Sequence, residues 1–320
     1  MKAIAVEHVG DSPRLLDVAK PNAEGKYIVR ITKASVNPVD HKLLAKLKAD
    51  SSFPFVMGID FAGTLETAVA GDDSLKVGDR VFGMARTCGS YAQYTAVAPK
   101  TNNEPITRIP TSLTDEQATT LPVAGVAALG AVRWFELRRG QTLIIFGATG
   151  SVGGYATQIA SSQGVRAIAV VHGDTEEARR LGADDAFDAK GGDVFDAIRA
   201  KFPDGVDAVL DLVNDKTVIR NNTKLLKAGG RIASTIYSAD VDWFKEHNIT
   251  ACNISSDTNP ASTPEGLDEL ADLMVRSVIT ARVGTRVTLD EFARSQNNGV
   301  LPSASGKVVI DVSHSNASEA

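Results

Sequence analysis

The spacing of apolar positions changes character near residue 121. Before it, KAIAVEHV and YIVRITKASV alternate or cluster β-branched residues, and FAGTLETAV and DRVFGMA follow with turn signals between them, so the first third reads as strands. KVGD ahead of RVFG is a turn in which Gly78 can take a positive φ and Asp79 can bond the local backbone. After residue 121, TLIIF (142–146) runs through GATGSVG into a segment whose Val152, Tyr155, Ala156, Ile159 and Ala160 share one helical face. RAIAVV (166–171), DAVLDLV (207–213), GRIAST (230–235) and ITACNI (249–254) read as further strands, with TEEARRLGA and NTKLLKA as helices. Gly182 is placed to end the first of these helices. Nearly continuous apolar strands alternating with helices predict a parallel, doubly wound α/β sheet covered on both faces.

Thr263 and Pro264 read as N-cap and first residue of a helix that turns Leu267, Leu270, Ala271 and Met274 inward. VTLDEFARSQNNG then predicts a short helix and GKVVIDV a strand like those of the first third. The chain is therefore expected to form a β-rich domain from 1–120 and 281–320, with a dinucleotide-binding domain at 121–280.

Composition narrows the function. A chain of 320 residues with 43% hydrophobic and 23% charged residues is ordinary globular material, long enough for two domains. A net charge of -5 gives no basic footprint, so nucleic acid is not the expected partner. Glu7, Asp11 and Arg14 interrupt the opening segment where a signal peptide needs an apolar run, and no stretch approaches the roughly 20 apolar residues of a membrane span. Two widely separated cysteines, Cys88 and Cys252, make a disulfide framework improbable. A cytoplasmic location and no membrane partner are the expectations.

The strongest chemical signal is the run Gly147, Ala148, Thr149, Gly150, Ser151, Val152 and Gly153. Glycine-rich turns are common, but this one follows an apolar strand directly and opens an amphipathic helix, the context of a dinucleotide site. Gly150 would let the backbone approach a pyrophosphate, Gly153 would let helix and strand pack closely, and the helix N-terminus would offer amides to the phosphates. An NAD site wants a carboxylate at the end of the second strand, about 20 residues on. His172 stands closest to that position, with Asp174 two residues later. Arg179 and Arg180 follow on the next helix, either offering charge to a 2′-phosphate or solvating an exposed face. The balance favours NADPH over NADH.

Further motifs carry a resemblance: ASVNPVDHKLL (34–44), FPFVMGIDFAGTL (53–65), KVGDRVFG (76–83), GSYAQY (89–94), LPVAGVAALGAV (121–132), LGADDAFD (181–188), LLKAGGRI (225–232) and SGKVVIDV (305–312). In this order and over nearly the whole chain, they resemble the medium-chain dehydrogenase/reductase superfamily, on its zinc-free quinone and enone oxidoreductase branch. The resemblance implies a Rossmann-like domain plus a GroES-like catalytic domain, and a homodimer formed through the edge of the nucleotide-binding sheet. Zinc-bearing members place Cys at Asn37, Ser or Thr at Val39, His-Glu at Ile59-Asp60 and a last Cys near Ala124. Here only Asp60 could bind a metal, short of the three ligands of a catalytic zinc site, so no metal is expected.

Without a Lewis acid, hydride must go to an acceptor that is already electrophilic, which points to a quinone or an α,β-unsaturated carbonyl. By the resemblance, Asn37 contacts cofactor or substrate and Lys42 faces the nicotinamide ribose or the substrate oxygen. Many quinone oxidoreductases carry Tyr at the Lys42 position, which favours the enone side. Asp40 reads as a proton-relay member, as the holder of a local turn or as a partner of Lys42. His41 reads as an exposed polar residue, Tyr91 and Tyr94 as packing tyrosines, Cys88 as a buried thiol, and Trp243 with Phe244 as a loop anchor or substrate rim. Two other functions fit the same features: a thioester enoyl reductase, and a non-catalytic NADPH-binding protein of the crystallin-like or RNA-binding kind.

Overall fold

The computed structural model describes residues 1–98, 104–192, 194–255, 259–297 and 306–313. In chain order its first strands are β1 Lys2–Val6, β2 Arg14–Asp17, β3 Tyr27–Ser35, β4 Phe55–Val56, β5 Asp60–Thr67, β6 Arg80–Met84, β7 Tyr94–Val97 and β8 Ile106–Arg108. There follow β9 Thr142–Phe146, β10 Arg166–Val171, β11 Asp185–Asp188, β12 Val206–Asp211, β13 Leu226–Ser234 and β14 Thr250–Asn253. The last two are β15 Val283–Thr288 and β16 Lys307–Asp311.

Two compact units form. One comprises Met1–Val123, Thr263–Val275 and Ala281–Ala320, the other Ala124–Ser262 with Arg276–Thr280. The helix Pro264–Val275, read from the sequence within 121–280, groups with the first unit. Its residues lie against β8, and Thr107 Oγ1 donates to Asp268 Oδ1 at 2.6 Å. As its spacing predicts, Leu267, Leu270, Ala271 and Met274 are buried.

In the first unit, β15, β16, β3, β5, β6 and β8 form one sheet in that order, with β7 also on β3, and β2, β1 and β4 form a second. Ile4, Val29, Ile31, Phe61, Leu65, Tyr91, Phe292 and Ile310 fill the core between them. The chain's return is therefore a packing event: β16 pairs antiparallel with β3, and Phe292 meets Tyr91 edge-on with ring centroids 5.4 Å apart. Such aromatic pairs add to plain area burial.

The second unit carries a six-stranded sheet in the order β11-β10-β9-β12-β13-β14, all parallel. Every residue of β9 is buried, which is why its sequence is an unbroken apolar run. The chain builds outward from β9 in one direction and then, from β12, in the other. This strand order puts a topological switch point between β9 and β12, where the two following loops part and leave a crevice.

Several elements differ from the sequence expectation. NTKLLKA is not one helix: the helix Lys216–Asn222 ends on its first residue, the 3-10 turn Thr223–Leu225 follows, and Leu226 already pairs with Val206 in β13. The 3-10 turn buries Leu225, and parallel pairing to β12 claims the rest of the run. Strand β11, DAFD, sits at the sheet edge with only two apolar residues, too few for a periodic signal. Strand β15, VGTRVT, likewise lies outside the sequence expectation. Gly78 and Gly182 do take positive φ, at 93° and 94°.

Candidate functional site

The turn after β9 is fixed by close backbone contacts. Gly147 has φ 80°, a conformation glycine adopts freely, and its N–H donates to Val170 O at 2.9 Å. Gly150 N-caps the helix Ser151–Ser162 and is itself exposed. A Cβ at Gly153 would lie 2.2 Å from Gly147 O and 2.7 Å from Ala148 Cα, so only glycine lets the helix start this near the strand end. The amides of Ser151, Val152 and Gly153 open the helix with no carbonyl one turn behind them, and the helix dipole adds positive character there. Ala148 is buried beneath the turn, while Thr149, Ser151 and Val152 are partly exposed.

Across the switch point the β12 end reaches the same turn: Val213 Cγ1 lies 2.7 Å from where a Gly147 Cβ would stand. Asp211 holds that loop, accepting from the N–H groups of Val213 and Asn214 and from the side-chain amides of Asn214 and Asn222. Val213 itself is 60% exposed. The cradle is one a dinucleotide diphosphate fits, because glycines at 147, 150 and 153 bring bare backbone to it and the first amides of a helix line it.

At the end of β10, His172 is exposed. The Asp174 carboxylate is turned to its own helix, accepting from Glu177 N at 2.9 Å. Arg179 pairs with Glu176 at 2.6 Å, and Arg180 with Glu177 at 2.7 Å, all exposed or partly so on the helix Thr175–Arg180. Sequence reasoning passed over Lys190. Its Nζ lies 3.2 Å from the Cβ position of Gly173, and Asp188 Oδ1 ties the two segments by accepting from both Gly173 N and Lys190 N at 2.9 Å. The signal was unreadable without β11, whose pairing with β10 brings Lys190 over the loop.

The first unit holds a buried polar cluster built from β3, the helix Pro38–Leu44, β5 and β16. Asp60, fully buried, receives four donors: Ser35 Oγ at 2.9 Å, Asn37 Nδ2 at 2.8 Å, Lys307 Nζ at 3.1 Å and Val123 N at 3.0 Å. Lys307, 3% exposed, also donates to Asn37 Oδ1 and to Val36 O. Both ends of the Asn37 amide are thus engaged within the protein. Asn37 N donates at 2.7 Å to Asp40 Oδ2, which also accepts from the Tyr91 hydroxyl at 2.5 Å. Burial is the chief reason the Asp40 carboxyl is pushed up to about 7, with the Asp60 charge adding to it. Burial likewise raises the Tyr91 hydroxyl well above its ordinary range.

Lys42 is exposed on the same short helix. His41 is half-buried, its Nε2 has no partner, and desolvation lowers its pKa. Cys88 takes φ 70°, and burial with the Asp40 and Glu104 charges pushes its thiol up to about 12, the opposite of an activated nucleophile. Tyr94 opens β7, and Phe244 is buried beside a half-buried Trp243 in the helix Val241–Glu246. Sequence reading weighed Asp60 only as a metal ligand and gave Lys307 no role. No group of three or more His, Cys, Asp or Glu side chains suited to a metal occurs among the described residues. No helix among them is long and apolar enough to cross a membrane.

Comparison with known proteins matches residues 23–110 to the alcohol dehydrogenase GroES-like domain and residues 151–274 to the zinc-binding dehydrogenase family. The chain is 25% identical to a quinone oxidoreductase of Rattus norvegicus over 333 residues, covering 97% of each. It is 32% identical over 232 residues to a 2-methylene-furan-3-one reductase of Solanum lycopersicum, covering 68% of this chain and 56% of that one. The solved quinone oxidoreductase of Coxiella burnetii superposes with a TM-score of 0.83 at 26% identity, over 98% of this chain and 99% of that one.

Proposed function

Because this chain belongs to the medium-chain dehydrogenase/reductase superfamily, on its quinone oxidoreductase branch, we propose that it reduces a quinone or an α,β-unsaturated carbonyl with NADPH and without zinc. The observation that carries the reading is the turn at Gly147–Gly153, closed so tightly that a single Cβ at 153 would strike backbone. NADPH, when bound, supplies hydride from the nicotinamide. The amides of Ser151, Val152 and Gly153 hold the diphosphate, and Gly150 leaves its approach open.

Lys190, with His172 beside it, supplies charge for a 2′-phosphate, while the carboxylate of Asp174 is occupied as a helix cap and that of Asp188 in holding the Gly173 and Lys190 amides. Arg179 and Arg180 spend their charge on glutamates of their own helix. Lys190→Ala is therefore expected to raise the Kd for NADPH about tenfold, the worth of roughly 1.4 kcal/mol, and to leave NADH binding nearly unchanged. Fluorescence titration of both cofactors reads this difference.

In the catalytic unit the donor set does not suit a metal: Asn37 and Asp60 share the Lys307 ammonium, which already balances the buried carboxylate. Asn37 therefore takes a positioning role rather than direct contact. Lys42 remains exposed on its helix and available to an acceptor oxygen or the nicotinamide ribose. Charge that develops on the acceptor's oxygen is stabilised there by a cationic donor, and the proton comes from solvent. Lys42→Ala is expected to lower kcat several-fold, within the range of one electrostatic donor, without abolishing turnover. Complete loss at unchanged cofactor affinity would contradict it.

The test of the whole reading is NADPH oxidation in the presence of a chelator, with 1,2-naphthoquinone and with a small alkenal. Consumption with either supports it. Tight NADPH binding with consumption of neither would favour a binding protein, and dependence on an acyl thioester would move the acceptor class.

A further inference from the structure

Asp40 is the buried acid that the proposed reduction leaves unused. It is 1% exposed, and both of its donors, the Tyr91 hydroxyl and the Asn37 amide, go to Oδ2. Oδ1 is buried with no partner. The charged groups that face it are Asp60 from β5, which disfavours a second negative charge, and Lys307 from β16, whose ammonium bonds to Asp60 and Asn37 instead. The Cys88 thiol is near enough to be raised by the Asp40 charge, so it offers no cation either. On the helix itself His41 is half-buried, and desolvation disfavours its charged form.

An ionised Asp40 would place an anionic Oδ1 in this enclosure with nothing to receive. A proton on Oδ1 removes that charge and leaves both bonds to Oδ2 intact. We propose, resting on the reductase reading above, that Asp40 is a positioning residue held as the neutral acid. In that form it ties Asn37 and the first turn of the helix Pro38–Leu44 to Tyr91, and its ionisation sets a second buried negative charge beside Asp60 under that helix, which carries the exposed Lys42.

The sign of the pH dependence follows. Asp40 binds its proton more tightly folded than unfolded, so its contribution to stability is complete below the ordinary carboxylate range. That contribution is lost as pH rises through about 7.

The test compares wild type, Asp40→Asn and Tyr91→Phe for unfolding midpoint and for kcat/KM with the quinone, each from pH 5 to 9. Wild type is expected to lose midpoint between pH 5 and 8, and to lose kcat/KM above pH 7 at up to roughly tenfold per unit. Asp40→Asn, which keeps an acceptor for both donors and cannot ionise, is expected to abolish the break in both profiles. Tyr91→Phe removes a bond that favours the ionised form, so its break moves to higher pH. A break that persists unmoved in Asp40→Asn overturns the proposal. The midpoint profiles need no acceptor, so a protein that fails to turn over quinone sinks the reductase reading while the titration of Asp40 is still decided.

Discussion

Gly153→Ala is expected to weaken NADPH binding by about ten- to a hundredfold and to lower the unfolding midpoint of the nucleotide-binding unit. The added methyl would sit 2.2 Å from Gly147 O and 2.7 Å from Ala148 Cα, both backbone atoms of the strand-to-helix turn. Neither is the free end of a side chain, so relief requires the helix Ser151–Ser162 to draw back from β9. Forcing one methylene-sized group into a packed site costs about 1–3 kcal/mol, and each 1.4 kcal/mol of lost binding is tenfold in Kd. On the proposed reading, the same displacement moves the three opening amides away from the diphosphate.

Gly150→Ala separates the two effects. Its Cβ would meet only Gly147 O, at 3.2 Å, and its φ of -72° suits any residue. That variant is expected to fold with an unchanged midpoint yet to bind NADPH more weakly, because the methyl stands where the diphosphate approaches. Isothermal titration with NADPH, alongside thermal unfolding without it, reads both. Wild-type affinity in Gly153→Ala would remove the turn from the cofactor site.

The contrast between these glycines explains which parts of the molecule could be read in advance. The conformation of the turn was legible because it is local: strand, glycines and helix lie within about 20 consecutive residues, and the apolar residues on both sides mark where strand and helix run. Strands β9, β10 and β12 were legible for the same reason, since burial on both faces leaves each with a run of apolar residues broken only near its ends. Strand β11 pairs on one side only and carries Asp at both ends, so periodicity could not find it. Lys190, which it delivers, was missed with it.

The polar cluster was illegible for a different reason. Asp60 and Lys307 are 247 residues apart, and Tyr91 and Asp40 are 51 apart, joined only when β16 returns to β3 and the loop before β7 packs beneath the helix Pro38–Leu44. The return of the final strand could be read from its likeness to the first third. Which residue on that strand would be driven inward with its charge could not. Asn37 carries the same lesson: the motif pointed to a contact with cofactor or substrate, and it gave no sign of the bonds its amide makes to Asp60 and Lys307.

Lys307→Met is expected to be among the most destabilising single substitutions in the catalytic unit. It leaves the methylene stem packed and deletes only the cation, so the loss measures the charge rather than a cavity. Asp60 keeps Ser35, Asn37 and Val123 as donors, but a fully buried carboxylate loses its counter-ion and Asn37 Oδ1 loses its donor. Removing one partner of a buried pair costs about 3–5 kcal/mol, which lowers an unfolding midpoint by on the order of 10 °C in a unit of this size. Replacing both partners, in Asp60→Asn with Lys307→Met, removes the uncompensated charge. The double variant is therefore expected to recover a good part of the loss, because the cost of a broken pair lies in the charge left behind rather than in the bond given up. A double-mutant cycle by thermal or urea unfolding measures the coupling. Strictly additive losses would mean that Lys307 neutralises no buried charge, and the zinc-free reading of this cluster would lose its physical basis.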